Sequence, residues 1–259
     1  MSATLLIQVG ELARRSVVRT LRQPAQIFPA LAFPMILLAI NSGGLDEATR
    51  IPGFPTDSYL TFALGFTFVQ GALFATMNAG TDLAGDVESG FLNRLALTPL
   101  RGAALLVGLL AGVIVLGLIQ ATTYVVVGFA AGADFATGVG GVAVIFALSL
   151  LITLGFGAVG SMIALRTGSG EAVQGMFPLL FVLLFLSSMA LPRNLIEQDW
   201  FRTVATYNPV SYLIEGIRSL LVTGWDVEAL ALGFGVALAI LVAGLAGASA
   251  ALKTRLVRT

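Results

Sequence analysis

The chain has 259 residues, of which 57% are hydrophobic and only 11% are charged, whereas ordinary soluble domains carry about 25% charged residues. Its 14 basic and 14 acidic residues cancel, so no overall positive charge is available to hold nucleic acid. The chain contains no cysteine and no histidine. These absences exclude disulfides, thiolate chemistry, histidine-ligated metals and the side chain most often used for proton transfer at neutral pH. The composition therefore predicts a membrane protein and excludes much enzymology.

The first 23 residues have the pattern of an amphipathic helix that ends before Pro24. Apolar side chains at positions 5, 6, 9, 12, 13, 17 and 21 fall on one arc of a helical wheel. The other arc carries the charges Glu11, Arg14, Arg15, Arg19 and Arg22. We expect residues 1–23 to lie in the membrane interface, with these arginines at anionic headgroups. The helix could be a plain membrane anchor, or it could also transmit motion from a cytoplasmic partner.

A cleaved signal peptide is the less favoured interpretation of this region. The basic part is too long and too regularly patterned, and the apolar part that follows carries Pro29 and Pro34.

Long intervals without charged residues mark the candidate transmembrane helices, because a charged side chain is costly at the bilayer centre. The chain has six such intervals, each long enough for the roughly 20 helical residues that cross a bilayer. The predicted spans are about 25–45, 58–81, 103–131, 139–165, 172–192 and 229–252. Residues 1–259 are therefore expected to form a single all-α integral membrane domain with six transmembrane helices.

The basic residues near the span ends predict the orientation of the protein. With the N-terminus inside, ten lysines and arginines fall on the cytoplasmic side and four fall outside. The four outside are Arg50, Arg193, Arg202 and Arg218. We therefore expect a multi-pass protein of the plasma (inner) membrane with both termini in the cytoplasm.

Residues 82–101, between the second and third spans, form the most concentrated polar segment of the chain. Leucine, valine and phenylalanine recur at steps of three and four between its charged residues, which predicts a short amphipathic helix that stops before Thr98 and Pro99. Such a helix presents a charged surface to the cytoplasm. The alternative is a solvated loop with no partner.

Residues 193–226 precede the last span and are too long for a simple connection. Asn208 and Pro209 are typical of a helix start, and an apolar face follows at positions 210, 213, 214, 217 and 221. This helix is too short to cross the membrane and carries Glu215 and Arg218. We expect short re-entrant extracellular helices that dip into the outer leaflet and cap a pathway, with ordinary extracellular packing as the alternative.

The spans contain no ionisable residue, which disfavours coupling to an ion gradient. Their polar side chains could line a path or make hydrogen bonds between helices; among them are Asn41, Gln70, Asn78 and Gln120. A phosphate-binding loop is also missing, because Leu252 replaces the glycine that should precede the single lysine, Lys253. This chain is therefore expected to bind no cofactor, and another chain must supply the energy for any work it performs.

Two stretches resemble a known family. Residues 86–101 (DVESGFLNRLALTPLR) resemble the cytoplasmic segment of ABC transporter permeases of the type-2 export class, which includes the daunorubicin-resistance permeases. Residues 207–218 (YNPVSYLIEGIR) resemble the segment before the last span of the same permeases. The expected topology agrees with that family over essentially the whole chain.

The resemblance implies a permease that pairs with a second six-span subunit, identical or different, and with ABC ATPase subunits that hold ATP and Mg. Membrane lipid is the other expected partner, and nucleic acid is not expected. The residues that would couple to the ATPase are Asp82, Asp86, Glu88, Gly90, Arg94, Leu95, Pro99 and Arg101. Those that would form the outer gate are Asn208, Pro209, Tyr212, Glu215 and Arg218.

Ser89 and Asn93 replace basic residues that are frequent in the family, so charge pairing with the ATPase is expected to differ there. The expected function is ATP-driven export of a hydrophobic or amphipathic substrate, drug-like or lipid-like, by a subunit that is not itself an enzyme. The alternatives are a membrane scaffold or assembly protein, and a carrier not powered by ATP.

Overall fold

The computed structural model describes residues 3–96 and 102–257, and within these ranges the regular secondary structure is entirely helical. The α-helices are α1 (Ala3–Leu21), α2 (Pro24–Gly44), α3 (Tyr59–Glu88), α4 (Phe91–Ala96), α5 (Gly102–Ala130), α6 (Gly138–Thr167), α7 (Gly170–Phe185), α8 (Asp199–Tyr207), α9 (Pro209–Val222) and α10 (Val227–Val257). Short 3-10 helices occupy Asp46–Arg50 and Arg193–Leu195. The all-helical prediction is confirmed for the described residues.

Within the described residues, five helices are long and apolar enough to cross a membrane, namely α2, α3, α5, α6 and α10. They correspond to the first four predicted spans and the last one. The remaining predicted span, 172–192, contains the apolar helix α7, which has only 16 residues and ends at Phe185. At about 1.5 Å per residue, α7 is about 24 Å long and falls short of a hydrocarbon core of about 30 Å. The count of six spans therefore stays a prediction.

Helix α3 is the centre of the bundle. Its 30 residues begin after Ser58, whose hydroxyl accepts a hydrogen bond from the Thr61 N–H at 3.3 Å. Every residue from 61 to 76 is buried, and α2, α5, α6, α7 and α9 pack around the helix. Phe62 and Phe66 in α3 belong to a core that also includes Tyr124 from α5 and side chains from α6 and α9. Because lipid is itself apolar, close packing and hydrogen bonds hold such helices together in a membrane.

Helix α1 confirms the predicted N-terminal amphipathic helix and packs along the first half of α5. Gly108 and Gly112 allow this approach, since a Cβ at Gly112 would lie 2.5 Å from the Ser16 hydroxyl and 2.6 Å from that of Thr20. The Ser16 hydroxyl donates to the Leu109 carbonyl at 2.9 Å and accepts from the Gly112 N–H at 3.2 Å. This pair of glycines therefore serves packing within one chain.

The two ends of the bundle differ in chemistry. At one end, called here the basic end, α1 meets the last turns of α3, and Arg255 of α10 donates to the Leu165 carbonyl of α6 at 3.0 Å. At the other, called the far end, α9 lies beside the turn between α5 and α6, where the Ala136 N–H donates to the Leu221 carbonyl at 3.1 Å. The N-terminal helix and the end of α10 thus share the basic end.

Helix α9 has 14 residues and is buried between α3, α6 and α10 at the far end. It begins at Pro209, as the sequence predicts, and the Asn208 side chain accepts a hydrogen bond from the Val210 N–H at 2.9 Å. Ten of its residues, Arg218 among them, are buried. Whether α8 and α9 enter a membrane leaflet stays a prediction.

Candidate functional site

The first polar cluster lies at the basic end, where α1 crosses the last turns of α3. Arg15 donates two hydrogen bonds to the carboxylate of Asp86, at 2.8 and 2.7 Å. Arg19 contacts Asp86 at 3.0 Å and Asp82 at 3.0 Å. We call these four residues the basic-end clamp. Arg15 and Arg19 are one helical turn apart on α1, and Asp82 and Asp86 are one turn apart on α3. Each pair therefore lies on one face of its helix, and the two faces meet at the junction.

The clamp is partly removed from water. The side chain of Asp86 is only 4% exposed and that of Arg15 is 38% exposed. The hydrogen bond with Asp86 is the main reason that the pKa of Arg15 lies above its ordinary value. The Arg15 guanidinium also lies 4.0 Å from the centre of the Phe91 ring at the start of α4. The clamp therefore joins α1 to both α3 and α4.

The sequence assigned these four residues to two separate surfaces. Arg15 and Arg19 were expected at the membrane surface, and Asp82 and Asp86 were expected to face a partner ATPase. In the structure the two pairs engage each other. Arg14 and Arg22 are exposed, and their place at a membrane surface stays a prediction.

The other expected coupling residues follow the clamp along the chain. Glu88 is exposed and accepts a hydrogen bond at 3.3 Å from the Gly170 N–H, at the start of α7. Gly90 has a φ of +68°, which favours glycine and allows the turn from α3 into α4. Arg94 is exposed on α4, which also contains Leu95. Pro99 and Arg101 lie outside the described residues.

The second cluster lies at the far end and centres on Arg218 of α9. Its guanidinium donates to three main-chain carbonyls, those of Phe62 at 3.2 Å, Ser188 at 2.9 Å and Met189 at 3.0 Å. The guanidinium carbon also lies 3.5 Å from the centre of the Phe62 ring. Arg218 is only 6% exposed, so its guanidinium is buried. Its hydrogen bonds connect α9 to α3 and to the irregular segment after α7.

The irregular segment after α7, residues 186–192, also makes hydrogen bonds with Asn208 and with Tyr59 of α3. Asn208 donates to the carbonyls of Leu183 at 2.6 Å and Leu186 at 3.0 Å, which are left free where α7 ends. The Tyr59 hydroxyl donates to the Ala190 carbonyl at 2.9 Å. Non-helical backbone at membrane depth needs such partners, because lipid offers none.

Glu215, one turn before Arg218, pairs with Arg193 instead. Two hydrogen bonds join them, at 2.8 and 2.5 Å, and Arg193 lies 4.7 Å from the centre of the Tyr212 ring. Burial lowers the pKa of Arg193, but the charge and hydrogen bonds of Glu215, together with the neighbouring Tyr212, outweigh this effect and leave the pKa above its ordinary value. The Tyr212 hydroxyl donates to the Thr206 carbonyl at 2.7 Å and so connects α9 to α8.

Sequence reasoning missed Arg193, Tyr59 and the role of residues 186–192. Arg193 carried one usable signal, as the first charge after a long apolar interval. Residues 186–192 carried little sequence signal, because no proline or glycine marks the end of α7 before Pro192.

The four polar residues of the spans lie in separate places. Gln120 of α5 donates to the Gly71 carbonyl of α3 at 2.8 Å, and Asn41 donates to the Leu37 carbonyl of its own helix at 2.8 Å. Asn78 lines a cavity of about 20 Å³ near the basic-end clamp. Gln70 is fully buried, and neither polar atom of its side chain has a hydrogen-bond partner among the described residues. The structure thus brings no two of them into contact by hydrogen bonds.

Within residues 3–96 and 102–257, no three acidic side chains come together in a group that could hold a metal ion.

Comparison with known proteins identifies the family. The sequence profile of the ABC-2 type transporter family matches residues 7–222, so the chain belongs to this family. It is 28% identical to a daunorubicin resistance ABC transporter permease from Streptomyces coeruleorubidus, over 79% of this chain and 72% of that protein. It is 30% identical to a protein of Pyropia yezoensis that carries the name transport permease ycf38, over 85% of this chain and 75% of that protein. The ycf38 protein of Porphyra purpurea is 26% identical, over 84% and 75% respectively.

Proposed function

We propose that this member of the ABC-2 type transporter family is the permease subunit of an ATP-driven exporter. A separate ATPase subunit supplies the energy, and a second permease chain, identical or different, completes the path. The observation that carries the proposal is the basic-end clamp, which ties the segment expected to meet the ATPase to both α1 and the central helix α3. Beside the clamp, Glu88 and Arg94 are exposed and available to a partner.

The geometry supports a mechanical route from that segment into the bundle. A force applied to α4 acts on Arg15 through the Phe91 ring and on α3 through the turn at Gly90. Because Arg15 and Arg19 hold the end of α3, helix α1 moves together with α3. Closure of the ATPase subunits would thus displace both helices as one unit.

The proposed outer gate lies at the far end, around residues 186–192. Arg218 and Asn208 hold this segment by hydrogen bonds to its carbonyls and to those at the end of α7, and Tyr59 contributes another from α3. A movement of α3 relative to α9 would break the bonds that α3 makes, those of Tyr59 with Ala190 and of Phe62 with Arg218, and so loosen the segment. Opening would then expose a path between the two permease chains.

The expected substrate is hydrophobic or amphipathic, drug-like or lipid-like, and leaves the cytoplasm or the inner leaflet. The predicted spans carry no acidic or basic residue, so a path along them suits an apolar compound better than a sugar or an ion. A daunorubicin resistance permease is among the relatives that this chain matches. The excess of basic residues at one end supports a plasma-membrane orientation with both termini in the cytoplasm.

The test is purification of complexes through this chain in mild detergent, followed by measurement of ATP hydrolysis and identification of copurifying subunits by mass. A stoichiometric ATPase subunit with vanadate-sensitive turnover is the expected result. Glu88→Gln and Arg94→Gln should lower substrate-stimulated turnover and export while insertion into the membrane stays normal. Arg166→Gln, which removes an exposed charge at the basic end outside the segment, is the matched control.

Pure protein without an ATPase partner, or full export by both variants, would contradict the proposal and favour a membrane scaffold.

A further inference from the structure

An apolar groove lies at the far end, between the last turns of α5 and the first turns of α6. Its volume is about 620 Å³, which is within the range of about 300–1,000 Å³ that is usual for pockets that hold small molecules. Three of its side chains are large, hydrophobic and exposed: Val126 (58%), Phe129 (75%) and Val139 (89%). Among the described residues, Asp134, in the turn between the two helices, is the one ionisable group that lines it. The groove therefore combines an apolar surface with a single negative charge.

The charge of Asp134 has no partner within the described ranges. Asp134 is exposed, and its carboxylate makes no ion pair or hydrogen bond with another described residue. The parts of the chain at this end, residues 45–58, 131–137 and 186–228, contain nine acidic and only four basic residues. Three of the four basic residues pair with other acids, and the fourth, Arg218, is buried. The charge of Asp134 is therefore open to a ligand.

Hydrogen bonds to two neighbouring helices hold the turn that carries this carboxylate. The Asp134 N–H donates to the Thr61 hydroxyl of α3 at 3.0 Å. The Thr137 hydroxyl donates to the Leu220 carbonyl of α9 at 2.8 Å. A charged group on a turn that is fixed in this way loses little freedom when it binds a ligand, and this raises the affinity.

We propose that this groove binds a bulky organic cation, whose charge pairs with Asp134 and whose hydrophobic body packs against Val126, Phe129 and Val139. An ion pair beside hydrophobic groups is stronger than the same pair in water, because the effective dielectric constant is lower. The exposed Phe129 ring offers a second favourable contact to a cation. A small inorganic cation would leave the hydrophobic side chains unused, and in a phospholipid with a choline headgroup the phosphate beside the ammonium would be repelled by Asp134. The inference concerns binding alone and is independent of the proposed transport function.

The test is binding of tetraphenylphosphonium to the purified full chain in micelles of a nonionic detergent. Equilibrium dialysis between two chambers that hold equal amounts of micelles measures it, because uptake by the detergent is then the same on both sides. Tetraphenylborate, an anion of the same shape, is the matched probe. We expect the wild-type chain to bind the cation saturably and to bind the anion at least about tenfold more weakly, since attraction to the carboxylate becomes repulsion.

Four variants and added salt locate the site. Asp134→Asn should weaken binding of the cation by about fivefold or more, and Phe129→Ala, which changes no charge, by about threefold or more. Glu197→Gln removes an exposed carboxylate of the same end that does not line the groove, and Phe28→Ala removes a ring of α2 that is 71% exposed. Both controls should bind like the wild type. Added salt should weaken binding to the wild type but not to Asp134→Asn.

Several outcomes would overturn the inference. Equal binding by Asp134→Asn and the wild type, or equal affinity for the cation and the anion, would show that no charge pairing takes place in the groove. An equal loss in Glu197→Gln would show that the overall charge of the far end attracts the cation. Displacement of the cation by phosphatidylcholine added to the micelles would identify a lipid with an ammonium headgroup as the occupant. Thermal unfolding of each variant, compared with the wild type, establishes that it is folded.

Discussion

Arg15 and Asp86 are 71 residues apart in the sequence, and their side chains are joined by two hydrogen bonds of 2.8 and 2.7 Å. The pair connects a helix that lies outside the predicted spans to the end of the most buried helix of the bundle. Arg19 adds a third contact to the same carboxylate at 3.0 Å. Asp86 thus contacts α1 at two positions, Arg15 and Arg19.

The first prediction concerns this carboxylate. Asp86→Asn should lower the free energy of unfolding by about 1–3 kcal/mol, because it leaves Arg15 without its charged partner and removes one of the two carboxylates that Arg19 contacts. Unfolding in mixed detergent and SDS micelles, followed by circular dichroism, measures the change. The control is Glu47→Gln, because the pair that Glu47 makes with Arg50 is 77–78% exposed and should contribute about 0–1 kcal/mol. Equal effects of the two variants would contradict a stabilising clamp.

The second prediction concerns the buried cation of the far end. Arg218→Met keeps an apolar chain of similar length but removes the donor to three carbonyls, so the free energy of unfolding should fall by about 2–4 kcal/mol. The effect should also appear as faster proteolysis around residues 186–192. Arg202→Gln removes an arginine that pairs with Asp199 on the exposed surface of α8 and should change stability by about 0.5 kcal/mol or less. If the rate of proteolysis around residues 186–192 were the same in Arg218→Met and the wild type, the hydrogen bonds of Arg218 would not be needed to keep this segment ordered.

The third prediction separates the two roles of Asn208. Asn208→Asp keeps the oxygen that accepts from the Val210 N–H but places a carboxylate against the carbonyls of Leu183 and Leu186. It should therefore destabilise the protein at least as much as Asn208→Ala, by about 1–3 kcal/mol, although aspartate is an equally good helix cap. The comparison uses the same unfolding assay. If Asn208→Asp had the same free energy of unfolding as the wild type, the hydrogen bonds from Asn208 to the end of α7 would contribute nothing to stability.

The fourth prediction concerns Gln70. Its two polar side-chain atoms have no partner among the described residues, so Gln70→Leu should keep or raise the free energy of unfolding, by up to about 2 kcal/mol. Gln120→Leu is the matched comparison and should be less favourable, because it removes the hydrogen bond to the Gly71 carbonyl. Export should be measured on the same variants. A stable Gln70→Leu protein that no longer exports would place Gln70 on the substrate path, whereas a marked loss of stability would contradict the prediction.

Much of the fold follows from local sequence patterns. Intervals without charge predict α2, α3, α5, α6 and α10, because the cost of a charge in lipid is a property of each residue by itself. The start of α9 is equally local, since Asn208 supplies the cap and Pro209 suits the first turn. The amphipathic N-terminal helix follows from its periodicity alone.

The contacts of the candidate sites could not be predicted in the same way. Periodicity shows which face of α1 is apolar, but it does not show that the face packs on Gly108 and Gly112. Spacing suggests that Glu215 pairs with Arg218, three residues later, whereas its actual partner is Arg193, 22 residues earlier in the chain. Such choices depend on which helices are neighbours, and a single sequence does not contain that information. The end of α7 at Phe185 is likewise set by hydrogen bonds from Asn208 and Arg218 rather than by a local signal.

The two polar clusters contact opposite ends of one long helix, α3. Asp86 pairs with arginines of α1, and the Phe62 carbonyl accepts a hydrogen bond from Arg218. The two residues are 24 positions apart on α3, which contains no proline. At 1.5 Å per residue they are about 36 Å apart along the helix. A tilt of only 5° about the basic end would shift the other end sideways by about 3 Å, which is the length of one hydrogen bond. A small rotation at the basic end is therefore enough to break contacts at the far end, and no other part of the chain needs to unfold.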